Sequence, residues 1–251
     1  MGVVRKTPLL KSKEKKMKAD LSIICTSYDK PPEQIIECMD SIKTQTVSPK
    51  EVILVDDCSK DPRAHAFAIS ILLPTNVGVA KARDIGVKMS VGRLLLFLDA
   101  DDKLAPDFIE QCGRVINHAD IAYPNVLKFG AIEKPKLVDS PREITPKYIT
   151  GKSCGLVVTS MMHRHVYEKL NGFRELPVYE DWDFWVRAMF NGYKFARANT
   201  LLHYRQNLKS RNHLSLEKKT DIHRKMIAPF KVVNDKLVKK ESHGRKKTKI
   251  T

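Results

Sequence analysis

The feature that most constrains this chain is a pattern that occurs three times: a short β-rich apolar run that breaks off into an acidic or hydroxyl-bearing cluster. Leu21-Ser22-Ile23-Ile24-Cys25 leads into Thr26-Ser27-Tyr28-Asp29, and Glu51-Val52-Ile53-Leu54-Val55 into Asp56-Asp57-Cys58-Ser59. Arg93-Leu94-Leu95-Leu96-Phe97-Leu98 leads into Asp99-Ala100-Asp101-Asp102. The third run is nearly all apolar, as expected of a strand covered on both faces. Between the first two runs, Ile35, Ile36, Met39 and Ile42 recur at helical spacing behind the helix-starting pair Pro31-Pro32. Between the second and third, Ala64 to Leu72 and Val77 to Met89 read as two further helical pieces. Strands that alternate with helices require right-handed crossovers, hence an α/β fold with a mainly parallel sheet flanked by helices. Ligands of such sheets bind beyond the carboxyl ends of the strands, so the three polar clusters should converge on one edge.

A chain of 251 residues with 42% hydrophobic side chains can bury a real core. Its five cysteines are odd in number, widely spaced and form no CxxC, which excludes a disulfide scaffold and suits a reducing compartment. The longest apolar run, Leu94 to Leu98, is far short of the roughly 20 residues of a membrane-spanning helix. No apolar stretch follows the basic N-terminal residues, so a secretory signal is not expected. A cytoplasmic protein, peripheral at a membrane or on nucleic acid, is the starting expectation.

The formal charge of +16 is concentrated at the ends. Residues 1–18 hold seven Lys/Arg and one Glu, and residues 231–251 hold eight Lys/Arg and two acids. Runs such as Lys11-Ser12-Lys13-Glu14-Lys15-Lys16 and Arg245-Lys246-Lys247 cannot bury apolar surface and are expected to be mobile. They either keep the chain in solution or meet a polyanion: nucleic acid, an anionic membrane surface or an acidic polymer.

Four carboxylates delivered to one edge (Asp56, Asp57, Asp99 and Asp101) repel each other unless something positive sits among them. Mg²⁺ and Mn²⁺ take oxygen ligands and bridge carboxylates to a diphosphate. An Asp-rich loop can also be a plain turn, but here it follows a buried strand with two more polar strand ends beside it. A second cluster, Tyr179-Glu180-Asp181-Trp182-Asp183-Phe184-Trp185, suits a helix start, with Asp181 near the N-cap and Trp182, Trp185, Val186 and Met189 on one buried face. Beside two Trp, desolvation can raise a carboxylate toward the pKa of a general base.

These segments together resemble a family 2 glycosyltransferase of the GT-A, Rossmann-like fold, an inverting enzyme that uses nucleotide sugars. The resemblance rests on the three strand-end clusters, on Ser41-Ile42-Lys43-Thr44-Gln45-Thr46, on Asn76-Val77-Gly78-Val79-Ala80-Lys81-Ala82-Arg83-Asp84-Ile85-Gly86, on Asn171-Gly172-Phe173-Arg174-Glu175 and on Glu180-Asp181-Trp182-Asp183. They occur in the family's order over about residues 20 to 205. With the terminal charge, the expected division is a basic flexible tail over 1–18, a nucleotide-sugar-binding half over 19–126, a smaller acceptor and catalytic-base half over 127–214, and a basic C-terminal helix and tail over 215–251, the two middle parts being what the resemblance implies.

Residue by residue, it implies that Thr26 or Ser27, Tyr28 and Asp57 hold the base and ribose of a donor, with uridine diphosphate the expected carrier. Arg83 matches a basic position near the nucleotide. Asp99 and Asp101 match the DXD motif, with Mn²⁺ or Mg²⁺ on Asp101. Asp181, with Glu180 beside it, matches the base that deprotonates the acceptor hydroxyl. His203-Tyr204-Arg205 matches a segment near the diphosphate, where His203 is a further metal ligand or an ordinary strand-end histidine and Arg205 assists the diphosphate. The absence of Gln-x-x-Arg-Trp after Asp181 favours addition of a single sugar over processive synthesis. The stretch from Lys128 to Lys152 matches no motif and is either an acceptor loop or a connection.

Two other readings compete. A nucleotidyltransferase would need acidic pairs for two metals and has no use for the Asp181 cluster. A non-catalytic basic nucleic-acid-binding protein on this fold is opposed by the intact Asp99, Asp101 and Asp181. For the acceptor, the terminal charge favours DNA carrying a hydroxylated base over an anionic membrane surface that hosts polysaccharide or glycolipid synthesis.

Overall fold

A computed structural model describes residues 17–60, 69–151, 154–207 and 214–240. The chain enters through β1 (Leu21–Ser27), α1 (Pro32–Lys43), β2 (Glu51–Asp56), β3 (Ile69–Leu72), α2 (Val79–Lys88) and β4 (Leu94–Asp99). It continues through β5 (Lys103–Leu104), α3 (Phe108–Ile116), β6 (Ile121–Gly130), β7 (Lys136–Val138), α4 (Pro146–Ile149), β8 (Met161–His163) and α5 (Arg164–Lys169). Then follow α6 (Glu180–Phe190), β9 (Phe195–Gln206), α7 (Leu216–Ile227) and the hairpin of β10 (Phe230–Val233) and β11 (Lys236–Lys239).

Nine strands form one sheet in the order β3-β2-β1-β4-β8-β6-β9-β5, with β7 paired to β6. The first four of these strands are parallel, β2 and β4 flanking β1. Beyond them the sheet is mixed: β8 is antiparallel to both β4 and β6, and β9 is parallel to β6. The expected parallel sheet is therefore the N-terminal half of a larger mixed one. β6 crosses the expected division at 126/127, and the sheet is continuous through it.

β1 is buried along its whole length because α1 covers one face and α2 the other. On one side Ile23 and Cys25 meet Ile35, Cys38, Met39 and Ile42; on the other Ile24 packs with Ala80 and Val87. Gly86 brings α2 down onto the sheet, since a Cβ there would lie 2.4 Å from Ile24 Cγ2. All five cysteines are free, four of them buried.

Two expectations need correction. Ile69–Leu72 is a strand, not the end of a helix: it pairs in parallel with β2, and β-branched Ile69 and Ile71 suit that edge; residues 61–68 lie outside the described residues. Residues 231–240 are not a loose tail but mostly a hairpin, turned by Asn234 and Asp235 with φ of 47° and 56°. Asn and Asp are among the residues that accept the positive φ a two-residue hairpin turn requires. Residues 1–16 and 241–251 lie outside the described residues.

Candidate active site

The polar ends of β1, β2 and β4 meet on one edge, as their parallel register requires. Thr26 Oγ1 donates to Asp99 Oδ1 at 3.3 Å, across the β1–β4 pair. The loops after β1 and β2 are joined reciprocally: Asp29 N–H donates to Ser59 Oγ at 2.8 Å, and Lys60 N–H to Asp29 Oδ1 at 2.9 Å. Tyr28 is 37% exposed at this edge, whereas Ser27 is buried and its Oγ has no partner among the described residues. Asp57 is committed to the backbone: its carboxylate accepts from Val77 N–H at 2.7 Å and Gly78 N–H at 2.9 Å at the start of α2. Gly78 is required there by its φ of 87°.

Arg83 is 2% exposed and acts as an internal strut rather than an open basic surface. Its guanidinium donates to Asp99 at 3.0 Å and to Glu180 at 2.9 Å, tying the end of β4 to the first turn of α6. The guanidinium also lies 5.2 Å from the ring centroid of Phe173. Phe173 is held by the loop before it: buried Arg187 donates to Leu170 O, Gly172 O and Asp183 Oδ2 at 2.6, 2.8 and 2.7 Å. The Asn171-Gly172-Phe173 motif therefore reaches the site through packing.

Asp101 is 5% exposed and carries positive charge already: Lys30 forms an ion pair with its carboxylate, and Asn207 Nδ2 donates to it at 3.0 Å. Arg205 holds the same loop, donating from Nε to Asp101 O at 2.8 Å and from its backbone to Asp102 Oδ1 at 2.7 Å. Its other end pairs with Glu37 at 2.8 Å. Burial and the Asp99 charge push the Asp102 carboxyl well above its ordinary range. His203, on the same strand as Arg205, lies edge-on to Phe129 at 6.4 Å with its basicity lowered by burial and by Lys103. It makes no hydrogen bond to Asp99 or Asp101 among the described residues. Lys30, Glu37 and Asn207 are site residues that the motifs did not single out; for Lys30 the signal was its place directly after Tyr28-Asp29.

Asp99 and Asp101 offer carboxylate oxygens, the ligand type a hard divalent cation takes, and each is already paired with a cation, Arg83 and Lys30. Among the described residues no group of three or more His, Cys, Asp and Glu could enclose a metal. Mg²⁺ is commonly held by one or two carboxylates with substrate phosphates supplying the rest. The ammonium seated on Asp101 marks that carboxylate as a seat for positive charge.

Asp181 lies in the first turn of α6, after Tyr179 in the left-handed region (φ 67°) turns the chain into the helix. Its carboxylate accepts from Trp182 N–H at 2.7 Å and forms no ion pair among the described residues, while Glu180 is held by Arg83. Burial, then the Glu180 charge, push its pKa up to about 7, with the Arg83 charge opposing. Trp182 fixes the turn by donating from Nε1 to Ile149 O at 2.6 Å. The 128–152 stretch thus includes a support of α6, with Ile144 and Ile149 in the core.

This geometry has counterparts. The architecture matches the crystal structure of residues 1–349 of S. aureus TarS in complex with UDP-GlcNAc, with a TM-score of 0.64, 21% identity, and coverage of 83% of this chain and 65% of that one. Residues 22–170 match the model of glycosyl transferase family 2, and the chain belongs to that family. An uncharacterized glycosyltransferase of Haemophilus influenzae is 30% identical over 186 residues, 67% of this chain and 62% of the relative. The amylovoran biosynthesis glycosyltransferase AmsB of Erwinia amylovora is 26% identical over 198 residues, covering 69% and 65%. The teichoic acid poly(glycerol phosphate) polymerase of Staphylococcus epidermidis is 28% identical over 198 residues, 70% of this chain but 27% of that protein. This chain thus spans less than two thirds of each of these relatives.

Proposed function

We propose that the protein transfers one sugar from a nucleotide-sugar donor, with UDP as the carrier, to an acceptor hydroxyl with inversion. The observation that carries this reading is Asp181: a half-buried carboxylate with no ion pair among the described residues, raised to about 7, on the helix that Arg83 ties to Asp99. Its oxygen takes the acceptor proton as the acceptor oxygen bonds to the anomeric carbon. The bond from that carbon to the diphosphate oxygen breaks, and its electron pair leaves with the nucleoside diphosphate. A base with a pKa near the working pH is about half ionised and still basic enough for this transfer.

Thr26, Ser27, Tyr28 and Asp57 form the edge against which base and ribose would lie, with Asp57 acting through the loop it anchors. Asp101, with Asp99, would hold Mn²⁺ or Mg²⁺, which supplies positive charge against the developing charge of the leaving diphosphate. Arg205 keeps that loop in shape. His203 is the weakest of the proposed ligands, since it faces Phe129. The donor class is supported by the UDP-GlcNAc bound to the structurally similar TarS.

Relatives named for teichoic acid and amylovoran synthesis favour an acceptor in a surface polysaccharide or glycolipid. DNA had only terminal charge in its favour. Incubation with a panel of nucleotide sugars and Mn²⁺, reading release of nucleoside diphosphate, tests the reading: hydrolysis of one UDP-sugar that is lost in Asp181→Asn supports it. No release from any donor by the intact protein would overturn it.

A further inference from the structure

The C-terminal segment from Ser215 to Lys240 carries chemistry that sugar transfer does not use. It holds eight Lys/Arg against three acids. Its inner side is part of the protein core: Met226 and Leu237 are buried, Phe230 packs on Phe190 at 5.2 Å, and His223 lies 4.2 Å from the Trp182 ring. α7 and the hairpin are thus fastened to α6, the helix that begins with Glu180 and Asp181.

The cross-strand register sorts the hairpin into two faces. Phe230 pairs with Lys239 and Val232 with Leu237, so these share the face carrying buried Leu237 and half-buried Phe230, with Val232 exposed beside them. Lys231 pairs with Val238 and Val233 with Lys236, and alternation adds Lys240, so the opposite face interleaves three lysines with two valines. Where this hairpin meets the end of α7 there is a cavity of about 300 Å³, lined by Arg224, Lys231 and Lys240 together with Ile227, Phe230 and Val232, and by no acid. Among the described residues none of these three cations forms an ion pair. Adjacent Lys225, by contrast, is bound to Asp221 at 2.7 Å.

A concavity whose three cations form no ion pair among the described residues, set over an apolar floor and beside a face of alternating lysine and valine, matches a phosphate-bearing amphiphile in a layer. We infer that the α7–hairpin module docks on an anionic phospholipid surface, with Arg224, Lys231 and Lys240 taking a headgroup phosphate and Val233 and Val238 resting at the level of the acyl carbonyls. The inference deepens the reading that the acceptor belongs to surface-glycan or glycolipid synthesis: through α6, the module would hold Asp181 close to a lipid-borne hydroxyl. No helix among the described residues is long and apolar enough to cross a membrane, so a surface contact of this kind is the attachment the described fold can offer.

The test is cosedimentation of the full chain with vesicles of phosphatidylglycerol in phosphatidylcholine and with vesicles of phosphatidylcholine alone. The wild type should partition onto the anionic vesicles only. Each basic residue near such a surface contributes roughly fivefold, so Arg224→Ser/Lys231→Ser/Lys240→Ser should weaken partition about 10²-fold. Val233→Ser/Val238→Ser should weaken it further at high salt, where the electrostatic part is screened. Donor hydrolysis should persist in both variants, which also verifies that they fold. Undiminished vesicle binding by the triple variant would overturn the inference, and so would wild-type binding to duplex DNA but not to vesicles. If the wild type bound vesicles through these residues yet hydrolysed no donor, the transferase reading would fail while the docking surface stood.

Discussion

Asp181→Asn should separate turnover from stability in opposite directions. The carboxyl is raised from an ordinary 3.8 to about 7, mainly by burial and then by the neighbouring Glu180 charge. Holding the ionised form in that site therefore costs about 4 kcal/mol of folding free energy at a pH above 7, an upper bound because the residue keeps some contact with solvent. The folded state binds its proton more tightly than the unfolded chain, so the wild type bears no such cost below about pH 4 and acquires it as pH rises through 7. Asparagine has the same shape and does not titrate. In urea unfolding the variant should gain stability relative to wild type progressively from about pH 4 to pH 8. Turnover should fall roughly 10²–10⁴-fold, because the amide accepts no proton. In the wild type, kcat/KM should fall about tenfold for each pH unit below 7. A stability difference of the same size at pH 4 and pH 8 would refute the burial argument, and near-normal turnover in the variant would refute the base.

Three further outcomes follow from neighbouring contacts. Asp101→Asn, or chelation of divalent ions in the wild type, should greatly weaken binding of a UDP-sugar by calorimetry; equal affinity in all three samples would remove the metal from Asp101. Arg83→Met leaves Asp99 and Glu180 without their shared cation, and should cost about 3–5 kcal/mol in urea unfolding. It should also move the acidic limb of the pH–rate profile upward, because the Arg83 charge is what restrains Asp181; an unmoved limb would sever that link. Gly86→Ala drives a methyl against Ile24 and Val55 and should destabilise by about 1–3 kcal/mol, read as a lower urea midpoint at unchanged slope.

How much of this was legible in the sequence depends on the range of the interaction involved. β1, β2 and β4 could be read because each buries a continuous apolar run, and their shared polar edge follows from parallel register alone. β3 could not, since a four-residue edge strand beside helix-like spacing carries no decisive period. The hairpin was hidden by its charge: lysines on its outward face and at its edge made it look like tail, although Asn234-Asp235 was a turn signal in plain sight. The acidic positions stood out as motifs. Their partners did not, because Lys30 meets Asp101 across 71 residues and Arg83 meets Glu180 across 97.

Those long-range partners carry the chemical logic of the edge. Asp99 lies at the end of a strand, and Glu180 and Asp181 at the start of a helix about 80 residues further along the chain. Nothing in either segment sets their separation. Arg83 does so from α2, which is itself pinned by Gly86 against β1 and by Asp57 at its first turn. Asp57 accordingly need not touch a donor to matter: losing its two backbone contacts would loosen α2, then Arg83, then the distance from Asp99 to the base. Asp57→Ala should therefore lower kcat and move the acidic limb of the pH profile, whereas a residue serving only the nucleotide would raise KM and leave that limb in place.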